Sequence, residues 1–129
     1  MITEDYVSFE VAKLLKEKGF DENCPYIFHK DTNGLMPCNW HIRNSEIDDD
    51  WGIALPTLQM AMKWLREVHN LFVFPFPRMN TNKFWAEIYQ LSDNQEWENL
   101  YCESIDLQEY STYEEACEAA IKYCLENLI

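Results

Sequence analysis

The amino-acid sequence predicts a single α+β domain over residues 1–129, with about three helices packed on one face of a mainly antiparallel sheet of three to five strands. One observation is length, because 129 residues is close to the commonest size of one domain. Another is composition: 47% of the residues are hydrophobic and 15% are aromatic, which supplies one core without disulfides. The third is pattern, since segments with helical spacing of apolar residues occur between segments with strand composition.

The first helix is predicted to begin after Ser8, a residue type whose hydroxyl group caps helix N-termini. Val11, Leu14 and Leu15 follow at helical spacing and would face the core. Gly19 provides the left-handed residue that commonly ends a helix, and Phe20 provides the apolar contact that accompanies such an end.

A β-hairpin is predicted next, because residues 26–28 and 40–42 have strand composition and residues 31–34, Asp-Thr-Asn-Gly, are typical of a turn. The acidic run at 48–50 is predicted to be a solvated loop. Its consecutive carboxylates point in different directions and no EF-hand spacing follows, so the pattern disfavours a calcium or magnesium site.

The second helix is predicted to start with either Pro56 in its first turn or Thr57 as its cap, and to run to about His69. Asn70 is predicted to end it. The expected apolar stripe consists of Leu58, Ala61, Leu65 and Val68, widened by Met62 and Trp64.

Three further segments have strand character. Residues 71–76 are assigned to the edge or end of a sheet, because the prolines at 75 and 77 cannot donate to a ladder. Residues 83–91 alternate, and residues 97–103 are a weaker candidate. In the alternating strand one face would carry Phe84, Ala86 and Ile88, and the other would carry Trp85, Glu87 and Tyr89.

The last helix is predicted to begin at a capping box formed by Ser111 and Glu114. Acidic side chains in its first turns are favourable beside the positive end of the helix dipole. The expected core-facing stripe consists of Ala116, Ala120, Tyr123 and Cys124, extended by Ile121 and Leu128.

The net charge is −13, from ten basic and twenty-three acidic residues. Residues 84–129 contain eleven acids and one base, Lys122. This balance disfavours direct binding of nucleic acid, whose phosphates are contacted by lysine and arginine. It leaves open the opposite hypothesis, in which a folded acidic protein imitates the phosphate backbone and occupies the basic groove of a DNA-binding protein.

The five cysteines form no C-x-x-C pair and no even framework, which favours a reducing compartment. The first residues have neither a basic region nor an apolar region of the kind found in export signals. The longest uncharged apolar run, residues 71–77, is about a third of the length of a membrane-spanning helix. A cytoplasmic location without membrane contact is therefore expected.

Three segments, VSFEVAKLLKEKGF (7–20), LPTLQMAMKWLRE (55–67) and YSTYEEA (110–116) with the helix after it, resemble a family of small uncharacterised acidic proteins from gut bacteria and their phages or prophages. The resemblance covers about half of the chain, mainly its helices. It implies a phage or mobile-element origin and a cytoplasmic setting in the host. It carries no activity, cofactor or site residues over to this chain.

A weak metal-site pattern is formed by Cys24, His29, Cys38 and His41, whose side chains are suitable zinc ligands. The usual close pair of cysteines is missing, so buried thiols and strand histidines are favoured over a site, and no metal or cofactor is predicted. A thiol enzyme would need Cys38 or Cys102 beside a histidine. No catalytic sequence motif accompanies them.

The strongest candidate for function is the strand face with Trp85, Glu87 and Tyr89, to which Trp97 of the next strand is added. If helices cover one side of a sheet, the other side is open to water or to a partner. Aromatic rings around a carboxylate could bind a peptide or a sugar. Two alternatives are an ordinary solvent face and a second covered face packed by the Trp40 hairpin.

The sequence thus predicts a non-catalytic interaction module, encoded by a phage or mobile element, with an unknown protein partner. It is expected to be a monomer or small homo-oligomer. The alternative is an acidic nucleic-acid mimic that inhibits a host DNA-binding protein. A metal-dependent or thiol enzyme is the least favoured class.

Overall fold

The computed structural model describes residues 1–29, 34–102 and 109–129, without the side chains of residues 38–40, 101 and 102. Within these residues the chain divides into two compact units, Met1–Thr57 and Leu58–Ile129. They contain three α-helices and two antiparallel sheets of three strands each, which confirms the α+β class. The single domain over 1–129 stays a prediction.

The first unit contains one helix and one sheet. In chain order its elements are α1 (Phe9–Glu17), β1 (Cys24–His29), β2 (Gly34–Ile42), a 3₁₀ turn (Asn44–Glu46) and β3 (Gly52–Leu55). The strand order is β2-β1-β3, so β1 lies at the centre. The β1–β2 hairpin is as predicted, with His29 opposite Gly34 and Cys24 opposite Ile42, while turn residues 31–33 lie outside the described residues.

Helix α1 has the predicted ends. The amide of Val11 donates to the Ser8 hydroxyl at 3.2 Å, which is the N-cap. At the other end Gly19 has φ +94°, and the amide of Phe20 donates to the carbonyl of Leu15 at 2.9 Å. This is the Schellman arrangement that the glycine and the following apolar residue predicted.

A buried asparagine joins the parts of the first unit. Asn44 is only 7% exposed. Its Nδ2 donates to the carbonyl of Phe20 at 2.9 Å, and its Oδ1 accepts from the amide of Ala54 at 2.9 Å. Because β3 is an edge strand, the asparagine satisfies a backbone group that has no strand partner on that side.

The second unit contains two helices and the other sheet. Its elements are α2 (Leu58–His69), β4 (Leu71–Pro77), β5 (Phe84–Leu91), β6 (Trp97–Cys102) and α3 (Tyr113–Tyr123), which continues as a π-helical turn (Cys124–Leu128). The strand order is β4-β5-β6, so the proline-containing β4 is an edge strand as predicted. Asn70 has φ +57° and ends α2, also as predicted.

The two helices cover one face of this sheet. Helix α3 packs on β4 and β5, and α2 packs on β4 and on α3. The buried strand residues on this face are Leu71, Val73, Ala86 and Ile88. The buried residues of α2 are Leu58, Ala61, Met62, Trp64 and Leu65, and those of α3 are Ala116, Cys117, Ala120 and Ile121. Val68, which was expected in the α2 stripe, is instead 56% exposed.

The cap of α3 lies one residue later than the sequence predicted. Thr112, and not Ser111, is the N-cap, and its hydroxyl accepts from the amide of Glu115 at 3.1 Å. The carboxylate that reaches back is that of Glu115, which accepts from the amide of Ser111 at 3.1 Å. Two adjacent hydroxyl residues followed by two adjacent glutamates allow both registers, and the structure has the later one.

No helix in the described part of the chain is both long enough and apolar enough to cross a membrane.

Gly52 lies at a position in β3 where a side chain has no room. A Cβ atom there would lie 2.7 Å from Ile27 Cγ2 and 2.7 Å from the carbonyl oxygen of Phe28. We expect Gly52→Ala to lower the free energy of unfolding by about 1–3 kcal/mol, because the backbone of β1 or β3 must shift. Urea unfolding followed by circular dichroism measures the change.

Gly19→Ala is the comparison for this variant. Its Cβ would meet no atom within 4 Å, so only the left-handed backbone opposes it, at about 1 kcal/mol. A Gly52→Ala protein as stable as the wild type would contradict the close approach of β1 and β3.

The assignment of Thr112, and not Ser111, as the N-cap of α3 can be tested by mutation. We expect Thr112→Ala to destabilise the protein by about 1 kcal/mol, because it removes the hydroxyl that accepts from the Glu115 amide. Ser111→Ala is the matched control and should cost much less, since the Ser111 side chain caps no helical amide. Thermal unfolding of the two variants distinguishes the registers, and a larger loss for Ser111→Ala would restore the earlier one.

Candidate binding surface

Six aromatic side chains, among those that the structure describes, lie on the face of the second sheet that is not packed by α2 and α3. They are Phe72, Phe74 and Phe76 of β4, Trp85 and Tyr89 of β5, and Trp97 of β6, and together they are called the aromatic face. Side chains alternate along a strand, so the residues between the buried ones emerge on the opposite side. The antiparallel register then places Phe72 opposite Tyr89 and Phe76 opposite Trp85.

The rings of the aromatic face support one another across the strands. There are three edge-to-face pairs: Phe74 with Tyr89 and Phe76 with Trp85 join the neighbouring strands β4 and β5, and Phe72 with Trp97 links β4 to β6 across β5. Their ring centroids are 4.9, 5.7 and 6.3 Å apart, and their interplanar angles are 84°, 69° and 64°. Such pairs add about 0.5–1.5 kcal/mol beyond simple burial, so the rings are held in place.

The aromatic face is open to solvent to a degree that the other face is not. Trp97 is 54% exposed, Phe74 39% and Phe76 38%, whereas Ala86 and Ile88 on the helix side are fully buried. Scattered exposed apolar residues are normal on proteins, but a contiguous patch of aromatic side chains is typical of an interaction surface.

A short polar network lies in the middle of the aromatic face. Glu87 is directly opposite Phe74 and accepts a hydrogen bond from the Tyr89 hydroxyl at 3.3 Å. The Tyr89 oxygen in turn accepts from Asn99 Nδ2 at 3.4 Å. The network holds the Glu87 carboxylate, a hydrogen-bond acceptor, in one place on an apolar surface. Binding sites commonly combine apolar side chains with a few fixed polar groups that orient the ligand.

The two ends of the aromatic face differ in charge. The β5–β6 turn lies beside Trp97 and carries Asp93 and Glu96, both exposed. The β4–β5 turn at the other end is flanked by Arg78, which forms an ion pair with Glu109 at 2.7 Å, and by Lys83, whose Nζ donates to the Ser111 hydroxyl at 3.3 Å. One end is therefore acidic, while the basic groups at the other end already have partners.

The structure brings the predicted residues Trp85, Glu87, Tyr89 and Trp97 together on one surface. The three phenylalanines of β4 were not among the predicted site residues, although they alternate with other residues in Leu-Phe-Val-Phe-Pro-Phe-Pro. The prolines of this segment indicate a strand at the edge of a sheet and carry no information about which side chains share a face. The alternative in which the Trp40 hairpin covers this surface concerns a side chain outside the described residues.

The candidate zinc ligands whose positions the structure describes do not lie close together. Cys24 and His29 lie at opposite ends of β1, which separates them by roughly 16 Å. The side chain of Cys38 is outside the described residues, and His41 is exposed. No group of three or more histidine, cysteine, aspartate or glutamate side chains suited to a metal ion occurs within the part of the chain that the structure describes.

Three of the five cysteines are buried free thiols. Burial raises the pKa of Cys24 and of Cys124 to about 12, and that of Cys117 to about 11. These thiols therefore stay protonated at neutral pH, whereas a nucleophilic cysteine has a lowered pKa. The other two, Cys38 and Cys102, have side chains outside the described residues.

The first unit has two open clefts, of about 390 and 310 Å³. They share Lys16 and Asp49, which form an ion pair with each other. The Asp49 side chain is 82% exposed, in agreement with the solvated loop expected at 48–50. A surface ion pair of this kind contributes little to stability, and its two charges compensate each other.

Comparison of the chain with protein-family models, with curated proteins and with solved structures gave no match. The geometry of the aromatic face is therefore the basis for the function proposed below.

The buried thiols lead to a test of reactivity. We expect Cys24, Cys117 and Cys124 to react with iodoacetamide at about pH 8 at least about a hundredfold more slowly in the folded protein than in urea. A pKa two units above the ordinary value of 9.0 lowers the thiolate fraction by that factor. Peptide mass mapping identifies the labelled cysteines.

The same pKa shifts predict a pH dependence of stability. Between about pH 9 and the folded-state values of about 11 to 12, the folded state binds more protons than the unfolded chain, so stability falls as the pH rises through this range. Rapid labelling of Cys117 in the folded protein would contradict both expectations.

Proposed function

We propose that this protein is a non-catalytic interaction module that binds another protein through the aromatic face. The observation that carries the proposal is the two-sidedness of the β4-β5-β6 sheet. Two helices bury one face, while the described side chains of the other present six rings around the carboxylate of Glu87. Aromatic side chains dominate the energetics of protein interfaces because each contributes a large apolar area at a low cost in rotamer entropy.

The rigidity of the aromatic face supports a role in binding. Cross-strand ring contacts hold its side chains before any partner arrives. Ordering a side chain on association costs about 0.5–1.5 kcal/mol, and side chains that are already ordered avoid most of that loss. A preorganised apolar surface of this size is suited to a short extended segment of a partner.

The chemistry of the aromatic face favours binding over catalysis. Among the described side chains of this face, Glu87 is the one carboxylate, and it accepts a hydrogen bond from Tyr89. General acid–base catalysis commonly uses two groups with different pKa values, placed on either side of a reacting bond. The described part of this face carries no such pair.

The nucleic-acid mimic remains the second candidate because the acids are concentrated in residues 84–129. Several of these acids have local structural partners, however. Glu109 pairs with Arg78, and Glu115 accepts from the Ser111 amide at the start of α3. This weakens the case for a phosphate-like array. The phage or mobile-element origin and the cytoplasmic location both stay predictions.

Selection of a random dodecapeptide library on the whole chain tests the proposed function. We expect enriched peptides to bind at least tenfold more weakly to Phe74→Ala/Trp97→Ala, because this variant removes two of the most exposed rings of the aromatic face. Circular dichroism checks that the variant is folded.

The matched control is Phe9→Ala/Trp51→Ala, which removes one phenylalanine and one tryptophan of similar exposure from the first unit. Its affinity for the same peptides should equal that of the wild type. Equal binding of all enriched peptides to the two variants would refute the assignment of the aromatic face. Peptides that are released completely by moderate salt, and whose affinity is unchanged for Phe74→Ala/Trp97→Ala, would favour the nucleic-acid mimic.

A further inference from the structure

The charge around the aromatic face specifies what kind of segment it binds. We infer that the partner segment carries a basic side chain, with arginine preferred, which docks on the aromatic face at the end where Trp97 lies. This inference rests on the proposed function, and it adds the chemical class of the partner and the orientation in which it binds.

The position of the acids is the first argument. Strand β5 ends at Leu91 and β6 begins at Trp97, and the turn between these strands adjoins the exposed ring of Trp97. Within this turn the amide of Ser92 donates to the Glu96 carbonyl at 2.8 Å, and the Glu96 amide donates to the Ser92 hydroxyl at 3.1 Å. Asp93 and Glu96 are thus carried by an ordered turn and are both exposed.

The position of the bases is the second argument. Lys63, Arg66 and Lys122 belong to α2 and α3, on the helix side of the sheet. Arg78 and Lys83 flank the other turn, and Arg78 is ion-paired with Glu109. No basic residue lies in the β5–β6 turn or in the described part of β6 to neutralise Asp93 and Glu96. A cationic group from outside can fill that role.

The arrangement of rings is the third argument. Trp97 is the most exposed ring of the aromatic face and stands nearly perpendicular to Phe72, at 84° and 4.9 Å. A cation over the face of tryptophan gains about 0.5–1 kcal/mol at an exposed site, and arginine is used more often than lysine. An arginine on Trp97 would also be within the range of the carboxylates of the adjoining turn, since charges interact over about 8–10 Å at physiological salt.

Two other occupants fit the surface less well. A second copy of this chain would bring another net charge of −13 and a second acidic turn against the first. Six partly exposed rings also offer on the order of 500 Å², below the roughly 800 Å² per partner of a stable interface. A ligand bearing phosphate groups would be repelled by Asp93 and Glu96 in the same way.

A set of three synthetic nonapeptides tests the inference on the whole chain. In the probe arginine alternates with valine, because β-branched residues favour an extended backbone. In the two matched peptides every arginine is replaced by glutamine or by glutamate. Binding is measured by isothermal titration calorimetry at two salt concentrations. We expect the arginine peptide to bind, the glutamine peptide to bind more weakly and the glutamate peptide not to bind.

Protein variants locate the contact. Asp93→Asn/Glu96→Gln should weaken binding of the arginine peptide by about threefold to tenfold and make it less sensitive to salt. Glu114→Gln/Glu126→Gln removes two exposed acids from the α3 segment and is the control, with little change expected. Trp97→Ala should weaken binding by a similar factor, and Trp97→Phe should restore part of it.

The outcomes separate this inference from the proposed function. If the arginine and glutamine peptides bind equally well, and Phe74→Ala/Trp97→Ala weakens both, the inference is wrong while the aromatic face remains a binding surface. Binding of a neutral oligosaccharide such as maltohexaose in place of all three peptides would also overturn it. Failure of the proposed function is read from the dodecapeptide selection, in which no enriched peptide would depend on the aromatic face.

Discussion

The covering of one face of the β4-β5-β6 sheet by two helices is the constraint on which the second unit depends. Helix α3 packs on β4 and β5, and α2 packs on β4 and on α3. Because side chains alternate along a strand, every residue that the helices bury places its neighbour on the opposite face. Burial of Val73, Ala86 and Ile88 therefore places on the opposite face a set of side chains that is largely aromatic.

The aromatic side chains on this opposite face form one continuous surface. A sheet face exposed to water usually carries polar residues, and here it carries rings that contact one another across three strands. Tyr89 links the rings to Glu87 and Asn99 through its hydroxyl group. The acidic turn beside Trp97 makes the two ends of the surface different, and this difference can set the direction in which an extended segment binds.

The first unit is held together in another way. Its sheet relies on a buried asparagine that satisfies the backbone of the edge strand β3, and on a glycine that allows β3 to approach β1 closely. Both devices are specific to one backbone arrangement, since Asn44 needs its two partners in place and Gly52 tolerates no Cβ. Its clefts are lined by the paired charges of Lys16 and Asp49, which compensate each other within the unit.

The sequence by itself determined the features that are encoded in consecutive residues: the ends of α1, the end of α2 at Asn70 and the alternation along β5. Only the tertiary structure decided which strands pair, so the division of the strands between two sheets and the addition of three phenylalanines beside Trp85 could not be foreseen. The sequence also did not distinguish Thr112 from Ser111 as the α3 cap, because adjacent hydroxyl residues and adjacent glutamates fit both registers. The physical reason is that capping and periodicity act within a few residues, whereas strand pairing and face coverage depend on contacts between distant segments.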